Sequence, residues 1–522
     1  MKQRIERFSY ALFSSERKVE VYDMRYVLTG EEMQYADKYA IEQMKIPSCV
    51  LMERAALKVV ETLEKEEIDC SSTLVVCGSG NNGGDGLAIA RLLHLKGMQV
   101  DVCYMGNFET ASEENKRQYI IAENYGISIG NTFVKKEYSV IIDALLGIGL
   151  KREVSGKYRE IIEQLNEMNG VKVAVDIPTG VCDTTGEIKG CAFRADLTVC
   201  FAFEKVGMLF GEGRRCVGKT YVADIGISTE ALPNGQKLYT YDKNDKDVPM
   251  LYRNPNGNKG TFGKVLIIAG SKGMAGAAFL NAKAAYLAGA GLVQIYTHED
   301  NRVILQQLLP EAIISTYETF DKNRLKELFD WGNVLLIGSG LGRSDLSERI
   351  FTYAMQYAKI PCVVDGDGIS ILSEDLSLLE HKKQVILTPH LKEMSRLLQC
   401  TVKEIQENRI EAIKDFVHEY SVVCAMKDAR TLVASDEADI YINTTGSHAM
   451  AKAGTGDVLA GLTVGFLAQK MTCRDACETA VYVHGLCGDY AQEEKGSYSV
   501  LANDLLDAVG HVMKKLEKEQ TR

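Results

Sequence analysis

Residues 74–94 read LVVCGSGNNGGDGLAIARLLH. Four apolar residues lead into a glycine-rich turn, and a helical pattern follows it. Such a strand–turn–helix unit aims backbone N–H groups and the positive end of a helix dipole at one place, where a phosphate-bearing ligand can sit. Asn-Gly pairs often mark hairpins, but the helical pattern after the turn argues against one here. Gly83, Gly84 and Gly86 would let a ligand come close to the backbone, with Asn81, Asn82 and Asp85 supplying polar ends.

Outward from this unit, residues 73–227 alternate between short apolar runs and helical patterns. Strands are expected at 73–77, 100–105, 140–145, 171–175, 197–201 and 221–223, and helices at 86–96, 113–125 and 158–168. This alternation predicts a Rossmann-like parallel sheet with helices on both faces, and the unbroken apolar strands agree with it. Upstream, Thr29 and Glu32 form a capping box ahead of a stripe of Met33, Ala36, Tyr39 and Ala40. Residues 229–259 are polar, with Pro233, Pro249 and Pro255, and read as a linker. A second α/β series follows, with strands at 264–269, 292–296, 334–337, 362–364, 385–387 and 421–425. The expected division is an extension over 1–23 (Met24 being an alternative start), one domain over 24–240 and another over 241–522.

The 522 residues exceed what one core serves, which supports two domains. A net charge of −11 argues against a nucleic-acid surface. Neither a signal-peptide pattern nor a membrane-spanning apolar run is visible, so a cytoplasmic protein with no membrane partner is expected. The 14 cysteines contain no C-x-x-C pair, and Cys77, Cys103, Cys200 and Cys424 lie inside strands. That pattern suits reduced, buried side chains rather than a disulfide scaffold or metal cluster.

Two constellations carry candidate chemistry. In the first half, Asp143 ends the run Val-Ile-Ile-Asp and Asp176 ends Val-Ala-Val-Asp. Each stands at the carboxyl end of a strand, as a ligand-facing acid or as a turn or cap residue. Oxygens of Asn82, Asp143 and Thr179 suit a hard cation. In the second half, residues 443–462 read NTTGSHAMAKAGTGDVLAGL. Gly454-Thr455-Gly456 before a helix forms an anion hole. Asp457 inside it either caps the helix or takes a proton from a hydroxyl attacking a phosphoryl group. The strand ends of this half add Asp365, Asp367, Thr388, His390, Glu393 and Arg396. Lys427 is either a wall near a nucleotide or a solvated lysine.

These motifs resemble known families. C-G-x-G-N-N-G-G-D-G at 77–86, D-A-L-x-G-x-G-L at 143–150, V-D-I-P-T-G at 175–180 and A-D-L-T-V-x-F-x-x-x-K at 195–205 resemble the NAD(P)H-hydrate epimerases. K-G-x-x-G-K-V-L-I-I-A-G-S at 259–271, L-T-P-H at 387–390 and G-x-G-D-V-L-A-G at 454–461 resemble the ribokinase-like, nucleotide-dependent NAD(P)H-hydrate dehydratases. The likeness spans nearly everything from Met24 onward. It implies a bifunctional repair activity on NADHX and NADPHX, the forms of NADH and NADPH hydrated at C6 of the nicotinamide ring. The first domain would interconvert the R and S hydrates. The second would phosphorylate the S hydrate from ADP and expel phosphate, giving AMP and NAD(P)H. Asp457 would be the base of dehydration and Asp176 the acid–base of epimerisation. K+ in the epimerase site, Mg2+ in the dehydratase site and a homo-oligomer are also implied.

By the same resemblance, Asn81, Asn82, Gly83, Gly84, Asp85, Gly147, Ile148, Gly149, Leu150, Lys151, Arg152, Glu153 and Asp176 bind substrate, and Asn82, Asp143 and Thr179 hold potassium. In the dehydratase, Ala277, Gly340, Gly342, His390, Leu391, Lys392, Glu393, Met394, Ser395, Arg396 and Asp457 bind substrate. The nucleotide falls to Lys427, Asp428, Ala429, Arg430, Thr431, Ser447, His448, Ala449, Met450, Ala451, Lys452, Ala453, Gly454, Thr455 and Gly456. The chain departs from the pattern at several points. Ser79 and Ser339 stand where proline is usual, Leu391 and Lys392 replace Pro-Gly, Asp428 replaces glycine, and Gly366 replaces alanine. The rival reading is a ribokinase-like small-molecule kinase fused to a cofactor-binding domain.

Overall fold

The computed structural model describes residues 25–133, 136–241, 248–250, 253–436 and 438–520. The expected extension over 1–23 lies outside the described residues. Two sheets organise the rest. The first is parallel throughout, in the order Ile129–Gly130, Gln99–Tyr104, Ser72–Cys77, Val140–Ala144, Val171–Val175, Leu197–Phe201, Lys219–Ala223. Val140–Ala144 and Leu197–Phe201 are buried at every position, because helices cover both faces. The chain leaves Ser72–Cys77 in one direction and Val140–Ala144 in the other, so the loops after these two strands part and open a crevice.

The second sheet has twelve strands. Ile313–Tyr317, Leu292–His298, Lys264–Ile268, Val334–Ile337, Cys362–Val364, Val385–Leu387 and Val423–Met426 run parallel, and Leu432–Ala434 and Ile440–Ile442 continue antiparallel. Three more strands come from the first half of the chain. Leu238–Thr240 pairs with Ile440–Ile442, Arg25–Leu28 pairs with Leu238–Thr240, and Glu204–Lys205 pairs with Arg25–Leu28. The expected linker over 229–259 is therefore corrected, since Leu238–Thr240 within it is a buried strand. Three residues, Leu-Tyr-Thr, are too few to register against the polar residues around them.

Two small-residue helices position the second site. Helix Ala275–Leu287 lies against helix Thr455–Ala468. A Cβ on Gly461 would stand 2.4 Å from the Asn281 carbonyl oxygen, and one on Gly465 would stand 2.7 Å from that of Ala285. The glycines are what let the two backbones approach this closely.

Candidate active sites

The first site is a cavity of about 790 Å³ at the parting of the two loops. Asn81, Asn82 and Asp85 line it from one side, Gly147 to Arg152 from another, and Asp176 from the end of Val171–Val175. The helix starts at Asn81, so the glycine turn is itself the first helical turn. Gly83 and Gly84 do not line the cavity. A Cβ on Gly83 would stand 1.9 Å from the Gly78 carbonyl oxygen, and one on Gly84 would stand 2.6 Å from the Met52 methyl group. Their smallness serves packing. Glu153 also falls outside the lining.

Asp143 is fully buried beneath the cavity. It accepts from the Thr179 hydroxyl at 2.7 Å, the Thr179 N–H at 2.8 Å and the Leu145 N–H at 3.2 Å. Burial pushes its carboxyl up to about 6, and the bonds from Thr179 pull it back. Asn82 is buried, and neither its amide oxygen nor its nitrogen has a hydrogen-bond partner among the described residues. An orphaned carbonyl oxygen in this position is costly unless something binds it. With Asp143 and Thr179 it makes an all-oxygen donor set that fits a hard monovalent cation.

Asp176 has φ of +67°, an unusual conformation for a residue with a side chain. Its Oδ1 accepts from the Phe201 N–H at 3.1 Å and from the Lys205 ammonium. Lys205 is fully buried, and its Nζ also donates to the Phe201 carbonyl at 3.1 Å. Asp37, on helix Gly30–Glu42, lines the same cavity. Sequence reasoning missed Asp37 and Lys205 as site residues. The available signals were a lysine closing an apolar run and an acid one turn beyond Met33 on a buried stripe.

The second site lies at the carboxyl ends of the large sheet's parallel strands. Gly454, at φ of +88°, ends the preceding loop, and Asp457 sits in the first turn of Thr455–Ala468. No side-chain bond caps this helix, which removes the capping alternative for Asp457. Burial, then the neighbouring Asp365 carboxylate, push Asp457 up to about 7, while Lys427 and a hydrogen bond with Ser339 pull it down. Lys427 donates to Asp365 Oδ1 at 2.9 Å. Asp365 also accepts from Ser339 at 3.0 Å and Thr388 at 2.7 Å. Burial works against the Lys427 charge, but Asp365, Glu393 and Asp457 more than restore it. A Cβ on Gly456 would meet only Lys427 Nζ, at 3.4 Å, so lysine and anion hole adjoin.

The turn is braced from below. The fully buried Asn281 amide donates to the Asp457 carbonyl at 2.8 Å. His484 lies 2.9 Å from the Thr455 carbonyl, and burial lowers it to about 4, so it is neutral and donates through Nε2. Neither residue was expected; each is a polar residue set in an apolar helical run.

The other expected residues divide. Gly340 and Gly342 have φ of +57° and +73°, and the Gly342 N–H donates to Asp367 at 2.8 Å. A Cβ on Gly340 would be 2.9 Å from that of Ala277, so the loop rests on helix Ala275–Leu287. His390 is the cap of helix Leu391–Leu397: its Nδ1 accepts from the Glu393 N–H at 3.1 Å while Glu393 accepts from the His390 N–H at 2.8 Å. Arg396 donates to Ser370 at 2.9 Å. Leu391 packs on the core, whereas Lys392 is exposed and Ser395 half-buried. Met394 and Ala449 are buried in the core. Met450 likewise packs inward, on Gly488. His448, Ala451, Lys452 and Ala453 are exposed, Ser447 and Thr431 half-buried. Asp428 pairs with Arg409 at 3.2 Å, Arg430 donates to the Thr444 carbonyl at 2.7 Å, and Arg214 of the first half reaches the Ala429 carbonyl at 3.4 Å.

The fold and these sites define a two-site α/β enzyme, with an acid-bearing crevice in one half and a glycine turn beside a carboxylate in the other. Residues 48–207 match the family described as YjeF-related protein N-terminus, and residues 265–510 match that described as NAD(P)H-hydrate dehydratase. The bifunctional NAD(P)H-hydrate repair enzyme of Moorella thermoacetica is 34% identical, covering 95% of this chain and 98% of that protein. That of Escherichia coli is 30% identical, covering 93% of each. A solved structure titled as an ADP/ATP-dependent NAD(P)H-hydrate dehydratase from Bacillus subtilis is 28% identical over 54% of this chain and 99% of that one, with a TM-score of 0.48. The chain belongs to the family of bifunctional NAD(P)H-hydrate repair enzymes.

Proposed function

We propose that the chain restores hydrated NADH and NADPH, with epimerisation assigned to residues 24–240 and dehydration to 241–522. The hydroxyl on C6 of the hydrate is a poor leaving group. Phosphorylation turns it into phosphate, the lone pair on the ring nitrogen then expels it to leave a C6=N1 iminium, and loss of a proton from C5 restores the C5=C6 double bond of the cofactor. Asp457 takes the hydroxyl proton while the amides of Gly454, Thr455 and Gly456 and the Lys427 ammonium stabilise the transferring phosphoryl group. ADP is the donor and AMP the by-product. The observation that carries this reading is an uncapped Asp457 beside Lys427 and Asp365 at an open helix N-terminus.

Magnesium would arrive with the diphosphate, neutralising its charge. Among the described residues no three His, Cys, Asp or Glu side chains gather as a cage. Magnesium ordinarily uses one or two carboxylates plus phosphates, and the partly exposed Asp367 is the carboxylate that would reach it. In the first site Asn82, Asp143 and Thr179 would hold potassium, which supplies fixed positive charge under the substrate. Asp176 is the acid–base group that lets C6 open and reclose, converting the R hydrate into the S hydrate that the second site consumes.

Mass spectrometry of products from hydrated NADH with ADP and ATP in parallel tests the proposal. AMP, phosphate and NADH are expected with ADP. A stable phosphorylated product would instead establish the kinase reading.

A further inference from the structure

Inverting C6 of the hydrate by opening the ring needs two proton transfers. The carbon carries a hydroxyl and the ring nitrogen N1. Opening the ring requires a base on the O–H and an acid on N1, because nitrogen is a poor leaving group as an anion. Asp176 accounts for one of these groups.

The cavity contains a second. Asp37 reaches it from helix Gly30–Glu42, on the buried stripe of Met33, Ala36 and Ala40. Around Asp37 stand Asp85 on helix Asn81–Leu95, Asp176, and Lys205 on Glu204–Lys205. The other charged side chains lining the cavity are Glu114, Lys151 and Arg152. Asp85 is buried, whereas Asp37 is only partly so and can meet a ligand. Lys205 cannot substitute for it, because its ammonium is fully buried and bound to Asp176 and the Phe201 carbonyl. Both bonds that hold the Asp176 carboxylate fall on Oδ1, which leaves Oδ2 for the cavity.

We propose that Asp37 is a second catalytic residue of the epimerase site, the acid that complements Asp176, and that Lys205 is the positioning residue that holds Asp176 by Oδ1 and turns Oδ2 to the cavity. This rests on the epimerase reading above. Asp176 takes the hydroxyl proton as C6=O forms and C6–N1 breaks, and the electron pair on N1 takes the Asp37 proton. Rotation about C5–C6 turns the aldehyde. Asp37 then recovers the N1 proton while N1 attacks the other face, and the oxygen takes its proton back from Asp176. No oxidant or reductant is consumed. Burial, then the Asp176 charge, raise Asp37 to about 6, so part of it remains protonated near neutrality.

The test uses the full-length protein and the R hydrate of NADH without ADP, with inversion followed by chromatography. Asp37→Asn should slow inversion by about 100-fold or more and abolish the limb of the wild-type pH profile that falls above about pH 6. Dehydration of the S hydrate with ADP reports that each variant is folded. Lys205→Met should lower kcat for inversion while KM for the R hydrate and dehydration of the S hydrate stay unchanged, and Lys205→Arg should restore it. Inversion by Asp37→Asn at the wild-type rate, beside an active wild type, overturns this proposal alone. A wild type that cannot invert the hydrate overturns the epimerase reading and this proposal with it.

Discussion

In the proposed dehydration Asp457 acts as the base, which requires it to be ionised. With its carboxyl raised to about 7 by burial and Asp365, the rate of dehydration should rise with pH and level off above that value. Asp457→Asn should lower dehydration by about 10²–10⁴-fold and leave epimerisation intact, which product chromatography resolves. Ser339 bonds Asp365 and helps hold Asp457 down. Ser339→Ala should therefore shift the limb to higher pH. The same group affects stability. Its folded value lies above the ordinary 3.8, so between about pH 4 and 7 the folded state binds more protons than the unfolded. Stability from this group is full below that window and is lost as pH rises through it. Asp457→Asn should flatten that part of the melting-temperature profile. Asp143, Asp176 and Asp457 were legible because strand ends and glycine turns announce themselves. Asp37, Lys205, Asn281 and His484 were not, because each is a single polar residue whose partners come from distant segments.

At the scale of elements, glycines separate packing from conformational need. A Cβ on Gly86 would stand 2.5 Å from that of Ala144 and 2.8 Å from Cys77 Sγ, pressing helix Asn81–Leu95 off its sheet. Gly86→Ala should cost about 1–3 kcal/mol, read by urea denaturation. Gly510, exposed within helix Ala502–Gln520, has nothing within 4 Å of such a Cβ. Gly510→Ala should stabilise by about 0.5–1 kcal/mol. The long buried strands and their order of appearance could be read from apolar runs. Ile129–Gly130, Ile313–Tyr317, Leu432–Ala434 and Ile440–Ile442 could not. Most are two or three residues long, and Ile313–Tyr317 sits at a sheet edge with exposed positions, where the hydrophobic signal weakens. The sequence pattern places a turn at 81–85 and a helix from 86, whereas the helix already begins at Asn81, because glycines that permit helix packing look the same in sequence as glycines that admit a ligand.

At the scale of the molecule, the two halves share one sheet, which a reading by composition along the chain could not register. Leu238–Thr240 lies between Arg25–Leu28 and Ile440–Ile442. Its Tyr239 hydroxyl donates to the buried Glu478 at 2.7 Å and accepts from Arg474 at 3.1 Å. Nearby, Arg409 stacks 4.1 Å over the Phe210 ring while pairing with Asp428, so the residue that replaces the usual glycine is tied to the first half. A fragment of residues 241–522 loses Tyr239 and bares the fully buried strand Ile440–Ile442 as an open edge. Loss of a hydrogen bond to a buried charge costs about 1.5–3 kcal/mol, and an open apolar edge invites pairing between copies. The fragment should therefore melt below the full chain and self-associate in sedimentation. A fragment of residues 236–522, which keeps Leu238–Thr240, should recover part of both losses. Identical melting and sedimentation of the two fragments would show that this strand contributes nothing to the second half.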